Sequence, residues 1–265
     1  MDDIVKVILS FDDGRKDNYD IVVPILKKYN LTATFNIATA YVDGSIDAEN
    51  RPCLNEAMTI DEVIDLYNQG FEIAAHGDCH KNDIVDIKNG IAKLRKWGVI
   101  GDNIGFASPN SRLPATEIKI NEDIYRGLGI SYIRVGVRKN SILSKVQRKF
   151  SEKIGNKFFY CRGFNCAPME LGKDFVIYSV PVMHNARLRQ VKGVVKQAII
   201  QKSDCVLMFH SVLNSDSPYY VDTWTWDRRR FDELCAWLKE LEIQMKIRVG
   251  NDTKRGLDIR RIGLT

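Results

Sequence analysis

The chain is short of histidine, with 4 in 265 residues, and it lacks long apolar runs. No stretch reaches the roughly 20 apolar residues that a membrane-spanning helix needs, so no membrane partner is expected. The N-terminus reads Met1-Asp2-Asp3-Ile4, acidic where a secretory leader is basic, and a cytoplasmic setting is expected. Six cysteines, at 53, 79, 161, 166, 205 and 235, are scattered. Cys161 and Cys166 form half of a metal knuckle with no second pair to complete it, which leaves reduced structural thiols. The net charge of +5 comes from 39 basic and 34 acidic residues. No basic run is interleaved with aromatics, and the basic residues from Lys246 to Arg261 read as a solvated or packed tail, so no nucleic-acid partner is expected. No internal repeat, low-complexity linker or composition break divides the chain, and one domain over residues 1–265 is expected.

What is present is alternation. Short apolar β-like runs alternate with amphipathic helical patterns from end to end. Strands are predicted over 4–11, 32–38, 71–75, 104–107, 131–135, 175–183, 205–209 and 244–249. Helices are predicted over 17–28, 59–69, 86–97, 117–128, 188–202 and 227–241. Thr59 and Glu62 have capping-box spacing, and Gly70 supplies the stop. Seven or eight strands separated by helices imply a distorted (β/α) barrel of mostly parallel strands, with an open doubly wound sheet as the alternative. Residues 138–171 are the least regular and read as an insertion over one rim.

Two motifs follow strands. Ser10-Phe11-Asp12-Asp13-Gly14 closes the first, and His76-Gly77-Asp78-Cys79-His80 closes the third. Carboxylate and imidazole donors suit zinc or a similar divalent ion, and three protein ligands leave a position for water. Adjacent aspartates diverge, so one can face a metal while the other acts as general base. His76 and His80, four apart, are expected on one face of a helical turn. His210 follows another strand and is placed to donate a proton to a leaving atom. His184 also ends a strand, where a structural hydrogen-bonding role is the ordinary reading. Trp224 and Trp226 are a sugar-stacking platform or packing residues, and Arg228 to Arg230 read as a solvated charge run.

The segments SFDDG, HGDCH and Val206-Leu-Met-Phe-His210 resemble three signature motifs of the polysaccharide deacetylase family, the NodB-homology domain of carbohydrate esterases. They stand in that family's order, and Ala33-Thr34-Phe35 resembles its second strand. The resemblance covers residues 4 to 212 and implies a seven- or eight-stranded (β/α) barrel. It implies Asp12 as general base, Asp13, His76 and His80 as ligands of a divalent ion such as Zn2+, and His210 as general acid. It implies Leu207 lining the pocket near an acetyl methyl; Pro109, in the turn after the fourth strand, and Trp226 are further candidate substrate contacts. The reaction implied is hydrolysis of an acetamide on a small-molecule or oligosaccharide substrate.

One motif departs. The family places an Arg that orients the base after the fourth strand; here the segment reads Phe106-Ala-Ser-Pro-Asn-Ser-Arg112, with Ala107 in the place of that Arg. Arg112 is close by but off register. The departure motivates a second reading, a non-catalytic carbohydrate-binding barrel, and a deacylase for another amide or ester is a third. A phosphatase with an aspartate nucleophile fits poorly, because its aspartates are spaced rather than adjacent.

Overall fold

The computed structural model describes residues 4–136, 142–154 and 169–250. Its centre is a parallel sheet closed on itself. Seven strands run in chain order: β1 Val5–Phe11, β2 Thr34–Ile37, β3 Glu72–Ala75, β4 Ile104–Ala107, β5 Ile130–Val135, β6 Val176–Pro181 and β7 Cys205–Phe209. β7 returns to β1, with Val7 opposite Cys205 and Phe11 opposite Phe209. The architecture is therefore the (β/α) barrel that the alternation implies, and the open sheet is excluded. Beyond β7 come β8 Ser211–Leu213 and β9 Thr225–Asp227, which pair with each other outside the barrel, and β10 Ile247–Val249. β10 pairs with the start of β1, beside Val5 to Val7, where β2 does not reach.

Side-chain alternation sorts each barrel strand into two faces. On β1, Val7, Leu9 and Phe11 pack outward against the helices, while Ile8 joins Tyr132, Ile177 and Val206 inside the barrel. Ser10 and Asp12 share the inward parity of Ile8. By the same rule Arg134 follows Tyr132, Ser179 follows Ile177, and Met208 and His210 follow Val206. The outer layer under the site is aromatic: Phe11 stacks on Phe35 and Phe209, and Phe231 meets both Phe11 and Phe209 edge-on.

The helices cover this outer face. The segment after β1 opens with a π-helical turn, Asn18–Val22, before the α-helix Val23–Lys28. Thr59 caps the helix Ile60–Asn68 with a complete capping box. Its hydroxyl accepts from the Glu62 amide at 3.2 Å, and the Glu62 carboxylate accepts from the Thr59 amide at 2.9 Å. The helix predicted over 117–128 is broken into Ala115–Ile120 and Glu122–Gly127 at Asn121. Part of the stretch read as irregular is the helix Ile142–Ile154; its remainder over 138–141 and 155–168, with Cys161 and Cys166, lies outside the described residues. Cys53, Cys79, Cys205 and Cys235 form no disulfide. Among the described residues no helix is long and apolar enough to cross a membrane.

Candidate metal and hydrolytic site

The carboxyl ends of β1, β3 and β7 deliver Asp12, His76 and His210 to one mouth of the barrel, where a parallel barrel gathers its functional groups. Asp12 and Asp13 are both buried, and their side chains part because the backbone turns. Asp13 has φ +81° and Gly14 φ +85°, a left-handed pair that only a constrained loop holds. Met58 donates its amide to the Gly14 carbonyl at 2.8 Å, fixing that turn against the start of the helix Ile60–Asn68.

Asp13 meets the imidazoles. Its Oδ1 lies 3.4 Å from His76 Nε2 and 3.5 Å from His80 Nε2, and the three donor atoms are within 4.8 Å of one another. His76 Nδ1 donates to the Ala107 carbonyl at 2.8 Å, which leaves the Nε2 lone pair facing Asp13. Buried Arg15 takes the other carboxylate oxygen, with Nε and Nη2 each 2.8 Å from Asp13 Oδ2. Asp13 Oδ1 and His76 Nε2 are buried with no hydrogen-bond partner in the protein. Two ligands about 2.1 Å from a tetrahedral divalent ion sit about 3.4 Å apart, so the spacing and the orphaned atoms fit a cation held by this trio. Burial raises the Asp13 carboxyl, but Arg15 and the facing His76 imidazole outweigh it and hold the group well below the ordinary range. Burial, reinforced by His76, pushes His80 down to about 4, so it is a neutral donor at neutral pH.

The two histidines are not on a helical turn, as the four-residue spacing predicts. Gly77 has φ +77° and His80 φ +57°, and residues 76–80 form a loop. Asp86, in the first turn of the helix Ile84–Lys96, shapes that loop by accepting from the amides of Asp78, Cys79 and Lys81 at 2.8–3.0 Å. A Cβ at Gly77 would stand 2.4 Å from Asp86 Oδ2, so glycine is required there. Sequence reasoning overlooks Asp86; its only signal is a carboxylate near a helix start.

Asp12 meets an arginine. Arg134, buried on β5, places Nη2 2.6 Å from both Asp12 oxygens, and its Nη1 donates to the Ser179 hydroxyl at 2.9 Å. Asn36 on β2 adds a bond to Asp12 Oδ1 at 2.8 Å. Arg134 is the register partner of Ala107. The guanidinium that the resemblance puts on β4 therefore arrives from the neighbouring strand. Arg112 makes no bond to Asp12; it lines the cavity outside. Burial raises the Asp12 carboxyl, but Arg134, with His76 and His210, reverses this and keeps it below its ordinary value.

His210 closes the far side, with Nε2 3.9 Å from Asp12 Oδ2 and the Trp224 ring tilted against it at 4.6 Å between centroids. Asn18 fixes its backbone by donating to the His210 carbonyl at 2.7 Å. Burial pushes the His210 imidazole down to about 4, against the pull of Asp13 and Asp12. Behind it, Asp17 accepts from the Val212 amide at 2.8 Å and the Ser211 hydroxyl at 3.1 Å. These groups face a cavity of about 640 Å³.

Three residues expected at the substrate stand elsewhere. Leu207 has outward parity and is fully buried among the helix-facing residues; Met208 lines the cavity instead. Trp226 is buried against Phe209, with its indole N–H on the Ala186 carbonyl at 2.8 Å, and Trp224 is the tryptophan at the cavity. Pro109 is buried in the turn after β4, and its successors Asn110 and Ser111 line the cavity. His184 is not at this cavity.

The site is thus a carboxylate–imidazole cluster at the mouth of a closed (β/α) barrel. Residues 3–102, which hold both the SFDDG and HGDCH motifs, match the polysaccharide deacetylase family model. The family that the motifs resemble is the family that the comparison finds. No curated protein matches the chain. Among solved structures, the Streptococcus pyogenes deacetylase PplD in complex with acetate is 22% identical, with a TM-score of 0.39 over 48% of this chain and 54% of that one. A de-N-acetylase from Aggregatibacter actinomycetemcomitans is 21% identical, with a TM-score of 0.36 over 51% and 65%. The chain thus spans 54% and 65% of the length of these two proteins. A protein from Mycobacterium smegmatis described as a polysaccharide deacetylase is 12% identical, with a TM-score of 0.54 over 95% of this chain and 88% of that one. At that identity the likeness is one of fold.

Proposed function

We propose that this chain is a metal-dependent deacetylase that hydrolyses the acetamide of an N-acetylated sugar or glycan. The observation that carries the reading is the division of the two aspartates, Asp13 toward two imidazoles and Asp12 toward a buried arginine, with His210 opposite. Asp13, His76 and His80 would hold the divalent ion, zinc being one that suits the donors. When bound, the ion supplies Lewis-acid polarisation and makes water more acidic.

The protein's own groups supply the proton transfers. Arg134 keeps Asp12 ionised and aimed, so it accepts a proton from water as the water oxygen bonds to the acetyl carbon. The carbon–nitrogen bond then breaks, and His210 delivers a proton to the departing nitrogen, giving acetate and a free amine. With its pKa pushed down to about 4 the imidazole is neutral at neutral pH, so the proton it delivers is the one Asp12 takes from the water, relayed across the 3.9 Å between Asp12 Oδ2 and His210 Nε2. The non-catalytic reading rested on a missing arginine, and Arg134 on Asp12 removes its motive. An ester or another amide as substrate uses the same groups.

The test is acetate release from a panel of acetylated sugars, with chelator and after zinc is restored. Turnover lost to chelator and regained with zinc is expected. Stoichiometric metal binding with no turnover on any acetylated substrate would sink the catalytic reading and leave the binding one.

A further inference from the structure

A second cavity, of about 500 Å³, is lined by Lys149 and Lys153 of the helix Ile142–Ile154, by His184 and Arg187 after β6, and by Tyr220 and Arg230. Four cations from three separate segments face one concavity. None of the four makes an ion pair among the described residues; Arg230 has only a long bond to the Ala186 carbonyl at 3.4 Å. The nearby carboxylate, Asp227, is engaged as a helix cap by the Arg230 amide at 3.0 Å and reached by the Tyr220 hydroxyl at 3.4 Å. His184 adds a buried Nδ1 with no hydrogen-bond partner.

Four like charges beside a single carboxylate repel, and a walled concavity concentrates their field. Two guanidinium forks, two ammonium groups, an imidazole and a phenol suit an anion with several oxygens and more than one charge. A phosphoryl group has that chemistry; a lone carboxylate would leave most of these donors unused.

The pocket and the hydrolytic cavity are lined by neighbouring residues of the same two segments. Pro181 and Trp224 line the first cavity, His184 and Tyr220 the second, and the His184 amide donates to the Thr223 carbonyl at 2.9 Å. The His184 and Tyr220 rings meet edge to face at 5.0 Å. We propose that this basic pocket binds the phosphoryl group of a phosphorylated acetamido sugar whose acetamide reaches the hydrolytic cavity. The substrate half of this assignment rests on the deacetylase reading; the phosphoryl site does not.

The probes are pyrophosphate, followed by calorimetry, and two substrates, N-acetylglucosamine and its 1-phosphate. Pyrophosphate is expected to bind at one saturable site that weakens with salt, and equally well in His80→Ala. Arg187→Gln with Lys153→Gln, both exposed and without ion pairs, should weaken it about tenfold or more while the fold stays intact by circular dichroism. The phosphorylated sugar should be preferred through KM, and the double variant should lose that preference while keeping kcat on the neutral sugar. Absence of saturable binding, or binding unchanged in the double variant, overturns the phosphoryl site. Binding with equal kcat/KM for the two sugars overturns its assignment to substrate and leaves free phosphate as the ligand. Binding with no turnover of either sugar overturns the deacetylase reading and leaves the phosphoryl site standing.

Discussion

Asp12 is held by strands, and Asp13 by loops. Around Asp12 stand Asn36 of β2 and Arg134 of β5, and Arg134 is itself anchored on Ser179 of β6. These groups come from the closed sheet, so the position and charge of Asp12 are set by the barrel. Around Asp13 stand Arg15, His76 and His80, with a left-handed backbone at Asp13 and at His80. That half ends in unpartnered atoms pointing at one spot, whereas in the Asp12 half both carboxylate oxygens are bonded. The difference is what a general base and a cation site each need: the first a fixed, fully bonded carboxylate, the second converging lone pairs with no partner but the ion.

The most severe test separates the halves directly. Asp12→Asn should lower turnover by about 10²–10⁴-fold and leave metal content near one ion per chain. His80→Ala should lose the metal and the turnover together. Metal analysis of both purified variants decides the matter, and an Asp12→Asn protein that comes out metal-free breaks the division of labour. Asp12→Asn also strands the Arg134 guanidinium, and breaking a buried pair costs about 3–5 kcal/mol. Its stability should therefore fall more than that of His80→Ala, which sits partly exposed at the rim.

The contrast also marks what can be read from sequence. Asp12, His76 and His210 end apolar runs, and the end of a strand is visible without knowing its neighbours. The (β/α) barrel follows from the same run-by-run alternation. Parity within a strand is equally local: counting back in twos from His210 reaches Met208, not Leu207, as the inward residue. Pairing between strands is not local. Nothing in the chain says that Ala107 lies beside Arg134, 27 positions on, so the guanidinium on Asp12 stays hidden; the only trace is a charged residue inside an apolar strand. The loop holding His80 escapes for a related reason, because a four-residue spacing suggests a helix until the backbone at Gly77 and the carboxylate of Asp86 are known.

A milder change acts only on the strand-held half. In Arg134→Gln, Asp12 loses the cation that lowers it, while the burial that raises it stays. A base works when deprotonated, so the acidic limb of kcat/KM follows the Asp12 pKa. In the unaltered protein Arg134 holds Asp12 below its ordinary carboxylate value, so that limb is expected below 3.8. In the variant it should move to higher pH, and kcat at neutral pH should fall about 10²-fold because the carboxylate is less well aimed. Metal content should not change. A purely structural arginine would lower stability and leave the acidic limb where it was.

The smallest expected effect probes whether the loop-held half is isolated from its supports. Thr59 caps the helix Ile60–Asn68, and the adjacent Met58 amide holds the Gly14 carbonyl just past Asp13. Thr59→Ala removes one hydroxyl acceptor and should cost about 1 kcal/mol of stability. The Met58–Gly14 bond is backbone to backbone and does not involve the lost hydroxyl. Metal affinity and kcat should therefore match the unaltered protein while the thermal midpoint falls. If metal affinity drops as well, the start of this helix helps hold the Asp13 turn, and the boundary of the loop-held half must be redrawn to include it.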